Sequence, residues 1–406
     1  MRRDENIIKR GVRLIKRRGI KGACEKVGAK LHIVPDKTDL LLSLKFIMDQ
    51  SEIPLNNEEY KKHSDDEIKL LNWVIPEMGK GSGGHTTIFR MVSHLENMGF
   101  HSRIYLYMSP NYRNNKAVVE FVREYFPLLD HRVELFWDVS QMSFAHATFA
   151  TSWETAYYVR RYKNTLARCY FVQDFEPYFF PNGSYYHLAE NTYRFGLYGI
   201  TAGDWLKEKL EKEYGMWTRS FGFSYDKSVY KPCVKKGLSK KIFFYARPYT
   251  PRRDFEIGVL ALSKVCKQMR DLTVVFAGED LSNYVIPFRH ENHGIVSVEQ
   301  LAKFYEECDM CLVVSGTNLS LLPLEIMGSN SVAICSRGEN SSWLVNDENA
   351  IMVNYDPVEI ADKILYYYQN PEQLGLIRKK GVEFAQKTSW EKEAEKIKDA
   401  LQEILR

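Results

Sequence analysis

The chain has 406 residues, 45% hydrophobic and 27% charged, with a formal net charge of +4. That composition excludes a disordered chain, a collagen and a disulfide-stapled miniprotein, and no run approaches the roughly 20 apolar residues of a membrane-crossing helix. Residues 1–30 hold eleven Lys and Arg against three Asp and Glu, a net of +8, which leaves about −4 on the rest and no general basic surface for nucleic acid.

Residues 1–68 read as a charge-rich helical extension. At 100° per residue Ile7, Ile8, Val12, Leu14 and Ile15 share one face, and Lys9, Arg10, Arg13, Lys16 and Arg17 the other. This suits peripheral contact of residues 2–30 with an anionic membrane surface; a solvated basic helix packed on its own body fits the same residues. No apolar core follows the basic start, so it makes a poor secretory signal. Seven cysteines are an ordinary cytosolic number. The expected location is the cytoplasm, with peripheral attachment at the inner face of the cell membrane.

Leu71–Ile75 predicts a strand, Gly79–Gly84 a glycine loop, His85–Met98 a helix and Ser102–Tyr107 a strand, which together make a βαβ unit. Short strands follow at Tyr170–Val172 and Leu197–Thr201. Periodicity is lost over residues 224–241, the candidate linker. A second series then begins: strand Lys241–Ala246, helix Asp254–Lys267, strand Leu272–Ala277, helix Val298–Glu307, strand Met310–Ser315, helix Leu322–Met327, strand Val332–Ser336 and a final helix Trp390–Arg406. Two such series predict an α/β protein of two Rossmann-like domains facing across a cleft, with ligand beyond the carboxyl ends of the strands.

Three motifs carry chemistry. The glycine loop lets backbone approach a ligand, but it lacks both the dinucleotide spacing and the P-loop ending, and a flexible turn explains it equally well. Arg247 directly follows a strand, and Arg252 and Arg253 follow it, so cations gather where they can neutralise a diphosphate. The stretch Ser315–Ile334 runs from a buried strand through a small-residue loop to a helix whose first turns carry Glu325, a carboxylate suited to ribose hydroxyls or simply to the helix dipole. The pair Cys308 and Cys311 reads as a helix end running into a strand, not a zinc site.

This last stretch resembles the nucleotide-sugar motif of the GT-B retaining glycosyltransferases of family 4. Arg247 and Arg252 fall where that family has Arg and Lys after the first strand of its C-terminal domain. Residues 171–184, with 150–155, are similar to WsaF-type bacterial rhamnosyltransferases. The resemblance implies an N-terminal acceptor domain over 69–228, completed by a helix at 388–406, and a nucleotide-sugar domain over 229–387. It implies transfer of L-rhamnose from dTDP-L-rhamnose to a growing surface polysaccharide, with retention, no cofactor and no metal, onto a glycan acceptor that is lipid-linked. Arg247 and Arg252 would stabilise the diphosphate, with Lys303 a weaker candidate. Amides around Leu319, Ser320 and Leu321 would assist, and Glu325 would hold the ribose. Gly83 and Gly84 would face donor phosphates or acceptor; Asp174, Glu176 and His85 would contact sugar or acceptor, His85 having a capping or structural role as its alternative. The family's first glutamate falls at Thr317, which fits a 6-deoxy sugar donor.

Other readings stay open on the sequence. A UDP- or GDP-linked donor is one. A degenerate transferase acting as a membrane-associated scaffold is another, and a metal-binding Asp174-x-Glu176 pair is a third.

Overall fold

The computed structural model describes residues 40–406. The amphipathic reading of residues 2–30 lies outside the described residues. The chain divides into two units, residues 1–51 and 52–406. In the first, the described part holds the short helices Leu40–Ser43 and Lys45–Met48.

The second unit contains two sheets. The first comprises β1 (Lys69–Pro76), β2 (Phe100–Tyr107), β3 (Glu134–Phe136), β4 (Ala145–Ala150), β5 (Thr165–Val172), β6 (Tyr198–Ala202) and β7 (Thr218–Phe221). Their order is β3-β2-β1-β4-β5-β6-β7. The second comprises β8 (Lys241–Ala246), β9 (Thr273–Gly278), β10 (His290–Asn292), β11 (Met310–Val313), β12 (Val332–Ser336) and β13 (Ile351–Val353), ordered β10-β9-β8-β11-β12-β13. Every strand pair is parallel. Parallel sheets are covered on both faces, which explains why the central strands are near-continuous apolar runs such as Leu71–Ile75 and Met310–Val313. The order reverses between β1 and β4 and between β8 and β11, which creates a crevice at each carboxyl edge.

Strands β8 and β12 and the helix Val298–Glu307 have the bounds read from the sequence. Elements that periodicity did not reveal are β3, β4, β7, β10 and β13, together with the helices Asn115–Tyr125, Trp153–Val159, Ser184–Asn191, Pro357–Gln369 and Pro371–Lys387. The extension read as 1–68 is tied into the main fold from residue 53 on. Ile53 bridges to Tyr162, the Asn56 amide donates to Asn164 Oδ1 at 2.9 Å, and the Phe144 amide donates to Glu59 Oε2 at 2.6 Å.

The last helix, Trp390–Ile404, starts at Ser389, whose Oγ accepts from the Lys392 amide. It buries Trp390, Ala394, Ile397, Ala400 and Leu401, one helical stripe. That stripe lies against the first sheet's layer, where Arg219 Nε donates to Glu403 Oε2 at 3.0 Å. The chain thus leaves the first domain over residues 222–240 and returns to it at its end. A further seam runs through Gly203, at φ +85°. A Cβ there would stand 2.4 Å from the Trp343 ring, so only glycine lets the second domain's Trp343 sit on the start of the helix Asp204–Tyr214.

Candidate active site

The carboxyl end of β8 delivers three guanidinium groups. Arg247 follows the strand directly; its Nη1 donates to Tyr245 Oη at 3.2 Å, and its Nε lies 3.4 Å from Glu279 Oε1. Arg252 stacks its guanidinium 4.2 Å from the centre of the Phe179 ring, a residue of the first domain. Arg253 Nη1 donates to Ser315 Oγ at 3.1 Å and to the Asn318 carbonyl at 3.0 Å. Burial holds Arg252 and Arg253 below the usual arginine range; Asp174 opposes that effect, and the neighbouring arginines add to it.

The loop after β11 is locked to this group. The Gly316 amide donates to the Arg252 carbonyl at 2.8 Å, and Tyr355 Oη donates to the Ser315 carbonyl at 2.8 Å. Asn340 Nδ2 donates to the Thr317 carbonyl, and Trp343 Nε1 donates to the Asn340 carbonyl at 3.0 Å. Thr317 is 1% exposed, so this position is part of the floor. Its hydroxyl lies against the Asp174 carboxylate without the geometry of a full hydrogen bond.

Asp174 comes from the opposite domain, on the loop after β5. Its two oxygens accept from the Asn318 amide at 3.2 and 3.3 Å, while Asn318 Nδ2 donates to the Gln173 carbonyl at 2.9 Å. The carboxyl edges of the two sheets therefore meet at this point. Burial pushes the Asp174 carboxyl above the usual range; Thr317, Arg253, the Asn318 amide and Arg252 pull it back.

Glu325 lies on the seven-residue helix Leu322–Gly328. Burial pushes its carboxyl up to about 7, opposed by a hydrogen bond with Tyr230 and by the charge of Arg90, while Asp226 adds to the rise. Tyr230 belongs to the crossover segment and Arg90 to the first domain's helix Gly83–Asn97.

Other positions read from the sequence fall elsewhere. Glu176 does not reach the cleft surface. Its oxygens accept from the Trp153 amide at 2.9 Å and from Tyr170 Oη at 2.5 Å, and its own amide donates to Tyr193 Oη at 3.1 Å. Glu176 is 6% exposed, and burial pushes its carboxyl up to about 8. It thus anchors the start of the helix Trp153–Val159 and is spent on packing, not on a ligand. The pairing of Asp174 with Glu176 around a metal is overturned on the same ground, because the two carboxylates are committed to different partners on different elements. His85 is also internal. Its Nε2–H donates to the Pro76 carbonyl at 3.2 Å, which leaves Nδ1 to accept from Ser82 Oγ at 2.8 Å. Burial lowers its proton affinity, so it stays neutral. Its role is structural, tying the start of the helix Gly83–Asn97 to the end of β1.

Gly83 opens the helix after β1, and the Gly84 carbonyl accepts from Gln173 Nε2 at 3.1 Å, one residue from Asp174. Of the loop amides, that of Ser320 (φ +61°) is used internally, donating to Asn318 Oδ1 at 2.9 Å. Leu319 is buried and Leu321 half-buried between that turn and the short helix. Lys303 is exposed on the helix Val298–Glu307, and no described contact ties it to the arginines. The residues that sequence reasoning passed over are Asn318, Arg253 as a loop anchor, and Arg90. The last had one signal, a lone cation inside the apolar run Ile88–Val92.

Solved structures share this architecture. Sucrose-phosphate synthase from Thermosynechococcus elongatus superposes with a TM-score of 0.62 at 13% identity, covering 83% of this chain and 99% of its own. Anabaena HepE, in complex with UDP and glucose, gives 0.63 at 13% identity over 82% and 100%. A TarM variant from S. aureus, in complex with Fondaparinux, alpha-GlcNAc-glycerol and UDP, gives 0.64 at 10% over 82% and 100%. Identities this low show the fold alone. Residues 240–365 match the family model described as WsaF, C-terminal domain, a span that holds all three arginines, Thr317 and Glu325. Residues 240–365 are therefore WsaF-like, and the chain has the GT-B fold. The chain is 28% identical over 344 residues to the O-antigen biosynthesis protein RfbC of Myxococcus xanthus. The match covers 82% of the chain and 27% of that relative, so the chain spans about a quarter of the relative's length.

Proposed function

We propose that this WsaF-like protein is a glycosyltransferase of O-antigen or related surface-polysaccharide synthesis. The finer reading is transfer of L-rhamnose from dTDP-L-rhamnose to a glycan acceptor, with retention of configuration. The observation that carries the reaction class is the convergence of Arg247, Arg252 and Arg253 at the switch point between β8 and β11, inside the WsaF-like span.

Breaking a glycosyl–diphosphate bond builds negative charge on the leaving diphosphate. Preorganised cations aimed at that charge are the largest electrostatic aid a site of this kind offers. Arg247 and Arg252 take that role; Arg253 holds the Ser315 and Asn318 loop in register beside them. Glu325 accepts from the ribose hydroxyls. Asp174, which reaches across from the first domain to the Asn318 amide beside Thr317, meets the donor sugar in this reading, so sugar recognition and contact between the two domains share one residue. No side chain is assigned as nucleophile, and no metal is called upon, because the arginines supply the countercharge.

The donor rests on Thr317, which stands where the wider family has a glutamate, and on the WsaF-like span. A UDP-linked donor is the second reading, favoured by the UDP and glucose of the HepE complex. Among the described residues no helix is long and apolar enough to cross a membrane. The proposed membrane contact, suited to a lipid-linked acceptor, rests on the +8 charge of residues 1–30 alone. Thermal stabilisation by dTDP-L-rhamnose, UDP-glucose and GDP-mannose tests the donor. Stronger stabilisation by dTDP-L-rhamnose supports the finer reading, and a preference for UDP-glucose replaces it.

A further inference from the structure

The three arginines after β8 are held in different ways. Arg247 is engaged by Tyr245 and Glu279, and Arg253 by Ser315 and the Asn318 carbonyl. Arg252 has no such partner. Its Nε is buried without a hydrogen bond, and no described residue forms a hydrogen bond or salt bridge with its guanidinium. What holds it is a ring, for the guanidinium carbon lies 4.2 Å from the centre of Phe179. A ring attracts a cation through its face and, unlike a carboxylate, does not take up its N–H donors. The terminal donors of Arg252 stay free for phosphate oxygens, which the planar fork of an arginine suits.

Phe179 comes from the first domain on a turn that is fixed at several points. It ends the short helix Glu176–Phe179, on the same loop as Asp174. The Glu176 oxygens accept from the Trp153 amide and the Tyr170 hydroxyl, and its own amide donates to Tyr193 Oη. The Tyr178 amide donates to the Phe175 carbonyl at 3.0 Å, and the Phe180 amide to the Pro177 carbonyl at 3.1 Å. Phe180 meets Trp153 edge to face with ring centres 6.0 Å apart and lies 5.6 Å from Tyr185. The aromatic ring therefore has an anchored support, and the long arginine side chain is the member of the pair that needs placing.

We propose that Phe179 is a positioning residue for Arg252, holding its guanidinium from the opposite domain with donors left free for the diphosphate of the donor. This rests on the reading of Arg252 as a diphosphate ligand. It gives a role in donor binding to a residue outside the WsaF-like span, and it makes the strength of the cation site depend on contact between the two domains.

The test compares wild type, Phe179→Tyr, Phe179→Leu, Arg252→Ala and the Phe179→Leu/Arg252→Ala double variant in the full chain, together with a chain carrying trifluorinated phenylalanine at position 179. Fluorine drains the negative face of the ring and nearly keeps its shape. Affinity for dTDP is measured by calorimetry, and melting temperature without nucleotide. Phe179→Leu should weaken dTDP binding about fivefold to thirtyfold, the span of a cation–ring contact from exposed to desolvated, and the fluorinated ring should weaken it at least threefold. Phe179→Tyr should stay within about threefold of wild type, since its ring keeps a negative face. The double variant should bind no more weakly than Arg252→Ala.

A fluorinated chain that binds dTDP as wild type does would reduce Phe179 to packing and overturn the proposal, as would losses that add in the double variant. If Arg252→Ala binds dTDP as wild type does, the diphosphate reading fails. The nucleotide-free comparison then decides whether the ring holds the guanidinium: Phe179→Leu should lower the melting temperature less in the Arg252→Ala background than in wild type, and equal lowering in both removes the contact as well.

Discussion

Replacing Glu176 by glutamine isolates one buried charge whose cost can be worked out. In the folded chain burial raises this carboxyl from the usual 4.5 to about 8, and the nearby Glu154 and Asp174 add to the rise. A raised carboxyl binds its proton more tightly folded than unfolded. Its favourable contribution is complete below pH 4.5 and is lost as pH climbs through about 8. At about 1.4 kcal/mol for each tenfold in acidity, the whole loss is roughly 3–5 kcal/mol. Glutamine keeps an oxygen for the Trp153 amide and cannot ionise. The variant should match wild type within about 1 kcal/mol at pH 5–6, and exceed it by roughly 2–3 kcal/mol at pH 9. The assay is urea unfolding at each pH, read by circular dichroism, with transfer activity measured in parallel at pH 6.5. Activity should be retained, since Glu176 touches no ligand surface. Parallel stability curves for the two proteins, or a hundredfold loss of transfer, would refute the reasoning.

Further outcomes follow from the same contacts. Arg247→Ala and Arg252→Ala should each reduce kcat at least a hundredfold with an unchanged fold by circular dichroism. Asp174→Asn should bind free dTDP nearly as wild type does, yet raise KM for the sugar donor about tenfold, which calorimetry and steady-state kinetics separate. Gly203→Leu sets a side chain against Trp343 at a left-handed backbone position and should destabilise by about 2–4 kcal/mol; the double change with Trp343→Ala should recover part of it. His85→Ala leaves the Pro76 carbonyl and Ser82 hydroxyl without their partner and should cost about 1–3 kcal/mol, without adding a pH dependence to transfer between pH 6 and 8.

The parts of the fold legible in the sequence are those whose burial is one-dimensional. Strands β8 and β12 are short apolar runs closed by charged or small residues. The helix Val298–Glu307 announces itself by the box of Ser297 and Gln300, which cap each other's backbone. Strand β4, Ala-His-Ala-Thr-Phe-Ala, was hidden by polar residues that are satisfied only in three dimensions. The His146 Nδ1, for example, accepts from the Leu70 amide at 2.9 Å. The site divides the same way. Arg247 could be singled out because it abuts a buried strand at a sheet's carboxyl edge, and Arg252 because it follows five residues on. Glu176 and His85 look like ligands in one dimension, because an acid or a histidine beside a loop carries no mark of the partners that consume it. Asp174 could be singled out from the sequence, but its partner Asn318 is 144 positions away.

The central claim is that the arginine group at the end of β8 holds the diphosphate of a dTDP-linked sugar. Calorimetric titration of dTDP-L-rhamnose into wild type and Arg247→Ala tests it most directly. The account predicts binding by wild type that exceeds UDP-glucose, and a loss of at least tenfold in the variant. Equal affinity of the two proteins, or no binding of dTDP-L-rhamnose beside clear binding of another nucleotide sugar, would contradict it.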